Sequence, residues 1–323
     1  VRGRLSLARG ALIGLTLGDA LGMPVQDYSR EQVAEFFDGA FNFRAARNDH
    51  PYAHGLGSAR ITDDSEQTFL IADLLIKSRG QIDSAKIAVA LNRWESEQVR
   101  RGSSDLLGPS TKRALVALRS GVPIEKTGLQ GTTNGAAMRI APVGIAIDAS
   151  NSPARLIEGV RKVGLVTHNT GIANAGATLV ASLISRVLDG VSPLDALAAA
   201  CHDADLAQTY GNQTEHELLS DTVWRALKSN VTSLPNDAET SSSIPAAIFC
   251  VFANLDSPWN AIVQAVSLGG DTDTIASIAG GIAGAIHGYD AWPDDCVEQV
   301  VRTNALEIDR YAIELLELRD RVN

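Results

Sequence analysis

Apolar residues recur at helical spacing along most of this chain, and long alternations of apolar and polar residues are almost absent. A half-buried strand needs period-two alternation, so most sheet-based folds are excluded at the outset. Phe69, Ala72 and Ile76 form an apolar stripe, while Leu70, Leu74 and Lys77 form a second stripe beside it. Ile308, Ala312, Leu315 and Leu316 repeat the pattern, with Glu307, Glu314 and Arg321 outside it. Stretches 171–188 and 193–207 are rich in alanine, and aromatic residues make up only 5%. Small and aliphatic side chains therefore build the core, which suits closely packed helices. The chain is 323 residues long, with no linker-like segment and no internal repeat. The expectation is one all-α domain over residues 1–323, of about a dozen helices, with function on loops and helix starts. Loops are expected at 38–60, 101–110, 127–136, 148–153 and 231–244, where Gly, Pro, Asn, Asp and Ser gather.

The formal net charge is −10, from 28 basic and 38 acidic residues. That balance argues against general nucleic-acid binding, which needs a basic face. The three cysteines, Cys201, Cys250 and Cys296, form no CxxC pair. Neither a disulfide framework nor a thiolate zinc site is expected, and a cytoplasmic setting fits best. Arg2, Arg4 and Arg9 precede the apolar run 11–17, as in a signal peptide, but Gly18-Asp19 follows at once. A core helix is the better reading. The apolar run 275–286 is too short for the ~20 residues a bilayer crossing needs, so it too is expected to be a buried helix. No membrane partner is expected, and the sequence leaves the oligomeric state open.

Two acidic segments carry the chemistry. The first is Thr62-Asp63-Asp64-Ser65-Glu66, directly before an apolar helical run. Asp63 with Glu66 resembles a capping box at a helix start. A cap explains one carboxylate, not two adjacent ones. The second is Gly269-Gly270-Asp271-Thr272-Asp273-Thr274, also leading into an apolar run. A cap again accounts for one Asp only. Gly280, Gly281 and Gly284 would let neighbouring helices approach this one closely. Together the segments offer four carboxylates and two hydroxyls. Buried together, such groups are protonated or bind cations. Oxygen donors without Cys or His favour Mg²⁺, Mn²⁺ or Ca²⁺ over Zn²⁺.

With these segments in view, the sequence resembles the ADP-ribosylglycohydrolase family, which includes the dinitrogenase-reductase-activating glycohydrolases. The likeness runs over roughly residues 7–290 in the family's order. Residues 10–22, Gly-Ala-Leu-Ile-Gly-Leu-Thr-Leu-Gly-Asp-Ala-Leu-Gly, resemble its first helix and turn. The two acidic segments resemble its metal motifs. Residues 134–142, Asn-Gly-Ala-Ala-Met-Arg-Ile-Ala-Pro, resemble its substrate loop, and Thr167-His168 and Ile244-Pro245-Ala246 fit as well. The resemblance implies an all-α fold, a single orthogonal helical bundle, with two Mg²⁺ (or Mn²⁺) ions ligated by Thr62, Asp63, Asp64, Asp271, Asp273 and Thr274. It implies hydrolysis at the anomeric carbon of an ADP-ribosyl group on a protein or small molecule. Asp63 and Asp64 would be the catalytic carboxylates, and Asn134, Gly135, Met138 and His168 would bind substrate.

Two positions depart from the family's pattern. Gln26 stands where many members carry a Glu, and Leu106 stands where the arginine-directed branch has an Asp, with Asp105 one residue away. These departures weaken the case for ADP-ribosylarginine. They keep open a hydrolase of free nucleosides or other small N-ribosyl compounds, and a non-catalytic ADP-ribose-binding or structural homologue. Glu66 is a minor catalytic candidate. His50 and His54 are expected to be solvated loop residues, and Asp19 to bond N–H groups of its own turn. Arg139 is expected to bond either a phosphate or a helix end, and Trp94 and Trp259 to be core.

Overall fold

The structure is a computed structural model that describes residues 3–102, 107–214 and 216–321. The described residues contain seventeen α-helical segments and no strand; one isolated bridge pairs Thr170 with Asn212. The all-α expectation holds. The dozen expected helices undercount because one-turn pieces such as Ile124–Thr127 and Gly135–Met138 are too short to show a period. Leu106 and Asp105 lie outside the described residues.

The chain forms two compact units. One comprises Val1–Glu66 with Thr222–Ala312; the other comprises Gln67–Asp221 with Ile313–Asn323.

In the first unit, helix Arg4–Gly22 lies antiparallel against helix Thr272–His287. A ladder of small residues sets their approach. Gly10 faces Gly284, Gly14 faces Gly280, Gly18 faces Ala276 and Gly22 faces Thr272 and Asp273. At each step a Cβ would sit inside the contact distance of the facing backbone. Each helical glycine costs roughly 1 kcal/mol against alanine. Backbone-to-backbone dispersion contact along four turns offsets it. The Trp292 indole N–H donates to the Gly10 carbonyl at 3.3 Å and covers one end of the ladder. Helices Thr240–Phe252 and Pro258–Ser267 pack on the Thr272 helix. The loop expected over 231–244 stops at Glu239, because Pro245 is accommodated inside helix Thr240–Phe252. Pro245 is the sixth residue of that helix, so its missing N–H leaves the Ser241 carbonyl without its usual partner four residues on.

In the second unit, helix Gly171–Leu188 is the buried centre. Helices Pro193–Gln208, Pro153–Gly164 and Ala141–Ala146 surround it. The Thr170 hydroxyl accepts from the Ala173 N–H and donates to the Gly131 carbonyl at 2.7 Å. One side chain therefore caps the central helix and anchors the loop before residue 134. Arg319, wholly buried, donates to the carbonyls of Gly144, Ile145, Ile147 and Ser185.

Among the described residues two helical stretches are long and apolar enough to cross a bilayer, Arg4–Val25 and Gly171–Leu188, and both are mostly buried in protein. Residues 275–286 lie in the buried Thr272–His287 helix, as expected. Trp94 and Trp259 are half-buried, not core.

Candidate metal centre and substrate loop

Helix Asp63–Lys77 starts where the sequence suggested, but its cap comes from elsewhere. The Asp19 carboxylate accepts from the N–H groups of Thr62 (3.0 Å to Oδ2) and Ser65 (3.1 Å). It also accepts from the hydroxyls of Thr62 (2.8 Å) and Ser65 (2.5 Å). Asp19 therefore serves a turn 43 residues away, not its own. This remote carboxylate acts at the turn where the sequence suggested a local capping box. Two N–H groups at the helix start, those of Thr62 and Ser65, are thereby met by a carboxylate from outside the segment. Glu66 is half-buried, and its charge acts on Asp63.

The second acidic turn is clamped from three sides. Gly269 and Gly270 have φ of +71° and +69°. A side chain at either would collide with backbone, at Tyr28 for Gly269 and at Asn236 for Gly270. The Gly270 N–H donates to the Tyr28 carbonyl at 2.8 Å, and the Asp27 N–H donates back to the Gly270 carbonyl at 2.7 Å. The Asp271 N–H donates to the Asn236 carbonyl at 2.7 Å, and the Thr272 hydroxyl donates to the Gly22 carbonyl at 2.9 Å. Asp271 occupies the N-cap position of its helix, yet its side chain makes no capping hydrogen bond.

The two acidic segments meet. The Thr274 hydroxyl donates to Asp64 Oδ2 at 3.3 Å, and the Thr62 hydroxyl reaches the same oxygen at 3.4 Å. Thr62, Asp63, Asp64, Asp271, Asp273 and Thr274 are all buried. Burial, then the charges of Asp19 and Asp271, push Asp63 well above the usual carboxylate range. Burial and Asp273 do the same to Asp64; burial and Asp271 do it to Asp273. Asp19 rises to about 6, because burial outweighs the hydrogen bonds it accepts.

The donor chemistry fits hard divalent cations. Oδ1 of Asp273 is buried with no hydrogen-bond partner, which is a cost unless something else meets it. The other donors are carboxylates and hydroxyls. No group of three or more His, Cys, Asp or Glu side chains among the described residues is arranged to hold an ion as it stands.

The segment resembling a substrate loop lies in the second unit. Asn134 precedes the one-turn helix Gly135–Met138, and its carbonyl accepts from the N–H groups of Ala137 and Met138. The Met138 carbonyl accepts from the Thr68 hydroxyl at 3.1 Å. Gly135 lies against the His168 ring, where a Cβ would come within 2.6 Å of Cε1. His168 is buried, with Nε2 3.0 Å from the Thr133 hydroxyl and Nδ1 2.7 Å from the Thr167 hydroxyl. Burial, then the charges of Arg139 and Arg113, hold its pKa well below the usual histidine value. Arg139 is wholly buried and donates to Gln67 Oε1 (2.6 Å) and Thr167 Oγ1 (2.5 Å).

A family model described as ADP-ribosylglycohydrolase matches residues 2–323. This chain belongs to the ADP-ribosylglycohydrolase family. The protein YegU of Escherichia coli (strain K12) is 32% identical, over 97% of this chain and 97% of its own. The ADP-ribosylarginine hydrolase Tri1 of Pseudomonas putida (strain GB-1) is 29% identical, over 99% of this chain and 80% of its own. A solved structure titled ADP-ribosylglycohydrolase-related protein complex aligns with a TM-score of 0.72 at 25% identity, over 98% of this chain and 99% of that one. The chain is accordingly an ADP-ribosylglycohydrolase-like enzyme, a hydrolase of the glycosidase type.

Besides Asp19, the loop residues Asn236, Thr133 and His50 have surroundings that the sequence does not signal. Asn236, which clamps the acidic turn, sits in a Ser/Pro/Asn/Asp stretch that reads as ordinary loop. Thr133 sits one residue before the quoted loop motif. His50, expected to be solvated, is buried and stacks on Tyr28 at 5.5 Å, with Nδ1 accepting from the N–H groups of Tyr52 and Ala53. His54 is exposed, as expected. Gln26 ends the turn Met23–Val25 and is partly buried.

Proposed function

We propose that this chain hydrolyses the glycosidic bond at the anomeric carbon of an ADP-ribosyl group. Thr62, Asp63, Asp64, Asp271, Asp273 and Thr274 would hold two Mg²⁺ or Mn²⁺ ions. The observation that carries the reading is the junction of the two acidic segments, where the Thr274 hydroxyl meets the Asp64 carboxylate inside a buried, acidic site. Divalent ions bound there would orient ribose hydroxyls and make water more acidic. The chain's own groups do the rest. Asp63 and Asp64, both buried at the start of their helix, would be the carboxylates that accept a proton from the reacting water. The negative charge of Asp271 and Asp273 favours positive charge developing on the sugar as the bond breaks. Asn134, Gly135, Met138 and His168 bind the ADP-ribosyl portion, with main-chain N–H groups of the loop meeting phosphate.

The arginine-directed relative makes ADP-ribosylarginine the first aglycone to test. Gln26 supplies no charge to a guanidinium, so serine-linked and small-molecule ADP-ribosides belong in the same panel. The experiment incubates the chain with each ADP-ribosyl compound and with free nucleosides, in Mg²⁺ or Mn²⁺ and in excess EDTA. Expected is cation-dependent release of ADP-ribose from at least one compound, lost in Asp63→Ala and Asp273→Ala. Full activity in EDTA overturns the metal assignment, and base release from nucleosides alone overturns the substrate assignment.

A further inference from the structure

The contacts around His168 form a chain whose direction can be worked out. Arg139 can only donate, and its guanidinium donates to the Thr167 hydroxyl at 2.5 Å. Thr167 Oγ1 also lies 2.7 Å from His168 Nδ1, and His168 Nε2 lies 3.0 Å from Thr133 Oγ1. Two proton arrangements satisfy these distances. In one, Thr167 donates to Nδ1, the ring carries its proton on Nε2, and Nε2–H donates to Thr133. In the other, Nδ1–H donates to Thr167, and Thr133 donates to Nε2.

Burial decides between them. In the second arrangement Thr167 accepts twice, and its own proton has no acceptor among the described residues at a fully buried position. An unmet buried hydroxyl proton costs about 1–3 kcal/mol. In the first arrangement the proton left over belongs to Thr133, which is 7% exposed and can be met from outside the protein. The absence of a side chain at Gly135 leaves the ring its place, since a Cβ there would come within 2.6 Å of Cε1.

We infer that Arg139 and Thr167 fix His168 as the neutral Nε2–H tautomer, and that His168 in turn leaves the Thr133 hydroxyl as a donor for an anionic oxygen of the substrate's diphosphate. The anionic choice follows from the charges nearby. Arg139 and Arg113 are the charged neighbours that act on His168, so the loop sits in positive potential. Thr133 touches the ligand; Thr167 and Arg139 are positioning residues that act through His168. The inference rests on the proposed function for the identity of the ligand, but not for the tautomer.

The test uses the full chain with ¹⁵N-labelled histidine. Long-range ¹H–¹⁵N correlation should show His168 with a bare Nδ1 and a protonated Nε2. The opposite pattern, or a charged ring at pH 7, overturns the inference. Thr167→Val should change that pattern, and Thr167→Ser should restore it. A pattern unchanged in Thr167→Val overturns the positioning role. Calorimetric titration with ADP-ribose and with ADP should show Thr133→Val weakened roughly ten-fold or more for both ligands, with Thr133→Ser close to wild type. Equal affinity in wild type and Thr133→Val overturns the inference and leaves the proposed hydrolysis standing. Thr133-dependent binding without cleavage of any ADP-ribosyl compound overturns the proposed hydrolysis and supports the inference. Failure of wild type to bind either ligand overturns both.

Discussion

The hydroxyl of Thr274 donates to the carboxylate of Asp64 at 3.3 Å, across 210 positions of sequence. Nothing local to either segment brings them together. The glycine ladder does, by seating helix Thr272–His287 against helix Arg4–Gly22, whose Asp19 then caps the turn that carries Asp63 and Asp64. Helix packing, capping and site geometry are therefore one construction, and each can be tested separately.

The packing step predicts opposite outcomes for two glycines. Gly18 faces the Ala276 carbonyl so closely that a Cβ must push the helices apart. Gly281 on the partner helix has its nearest neighbour, Leu15 Cβ, at 3.6 Å, an ordinary contact. Gly281→Ala should be neutral or stabilising by up to about 1 kcal/mol, from helix propensity. Gly18→Ala should lose about 3 kcal/mol or more and reduce activity, because the Asp19 cap shifts with the helix. Denaturant unfolding of both variants is the check, and equal stabilities would contradict the ladder.

The capping step predicts that Asp19→Asn is worse than its near-identical shape suggests. The carboxylate faces donors on both oxygens: two N–H groups and two hydroxyls. An amide presents its NH₂ to some of them, leaving donor against donor. A loss of about 1–3 kcal/mol in unfolding free energy is expected, with lower affinity for divalent cations as the Asp63 turn loosens. If Asp19→Asn melts with wild type, the remote cap is not holding the turn.

Stability below pH 6.5 tests the surroundings of His168. Burial and two guanidinium groups hold its folded pKa well below 6.5. As pH falls below 6.5, the unfolded chain takes a proton on this residue that the folded chain refuses. Stability is therefore lost on acidification, by up to about 1.4 kcal/mol per pH unit for this one group. Replacing His168 with Gln removes that contribution. Between pH 7.5 and 5.5 the variant should lose less stability than wild type, by about 1 kcal/mol. Parallel pH curves would show that His168 is not held neutral.

Legibility in the sequence followed the range of each interaction. Period and composition are local, so the all-α class and the long helices could be read directly. The acidic segments could be read because two carboxylates at a helix start exceed what a cap needs. Asp19 could not be read correctly, since its partners lie 43 residues on and only packing selects them. His50 looked like a loop histidine because burial of a loop depends on what stacks over it, here Tyr28. Asn236 and Thr133 act through a carbonyl and a hydroxyl, which leave no periodic or charge signature. Family likeness added the identity of the sugar-cleaving class, which no spacing of carboxylates gives alone.

Asp273 separates electrostatic cost from function. Without a cation its carboxylate is buried beside Asp271, Asp19 and Asp63, and its folded pKa stands well above that of the unfolded chain. The folded state therefore holds a proton that the unfolded state has released above about pH 4. Each such proton makes stability fall by up to about 1.4 kcal/mol per pH unit as pH rises towards the folded pKa. Asp19, raised to about 6, adds a similar loss between about pH 4 and 6. Metal-free wild type should accordingly be less stable at pH 8 than at pH 5 on account of these groups. Mg²⁺ or Mn²⁺ should raise its melting temperature most at the higher pH, by favouring the ionised carboxylates. Asp273→Asn removes one of the repelling charges. At pH 8 without metal it should be more stable than wild type, while losing both the thermal response to cations and the hydrolysis. Calorimetric melts at pH 5 and pH 8, with cation and with EDTA, check all three effects. A variant less stable than wild type at pH 8 in EDTA, or one still stabilised by Mn²⁺, would show that Asp273 is a structural carboxylate rather than part of a cation site.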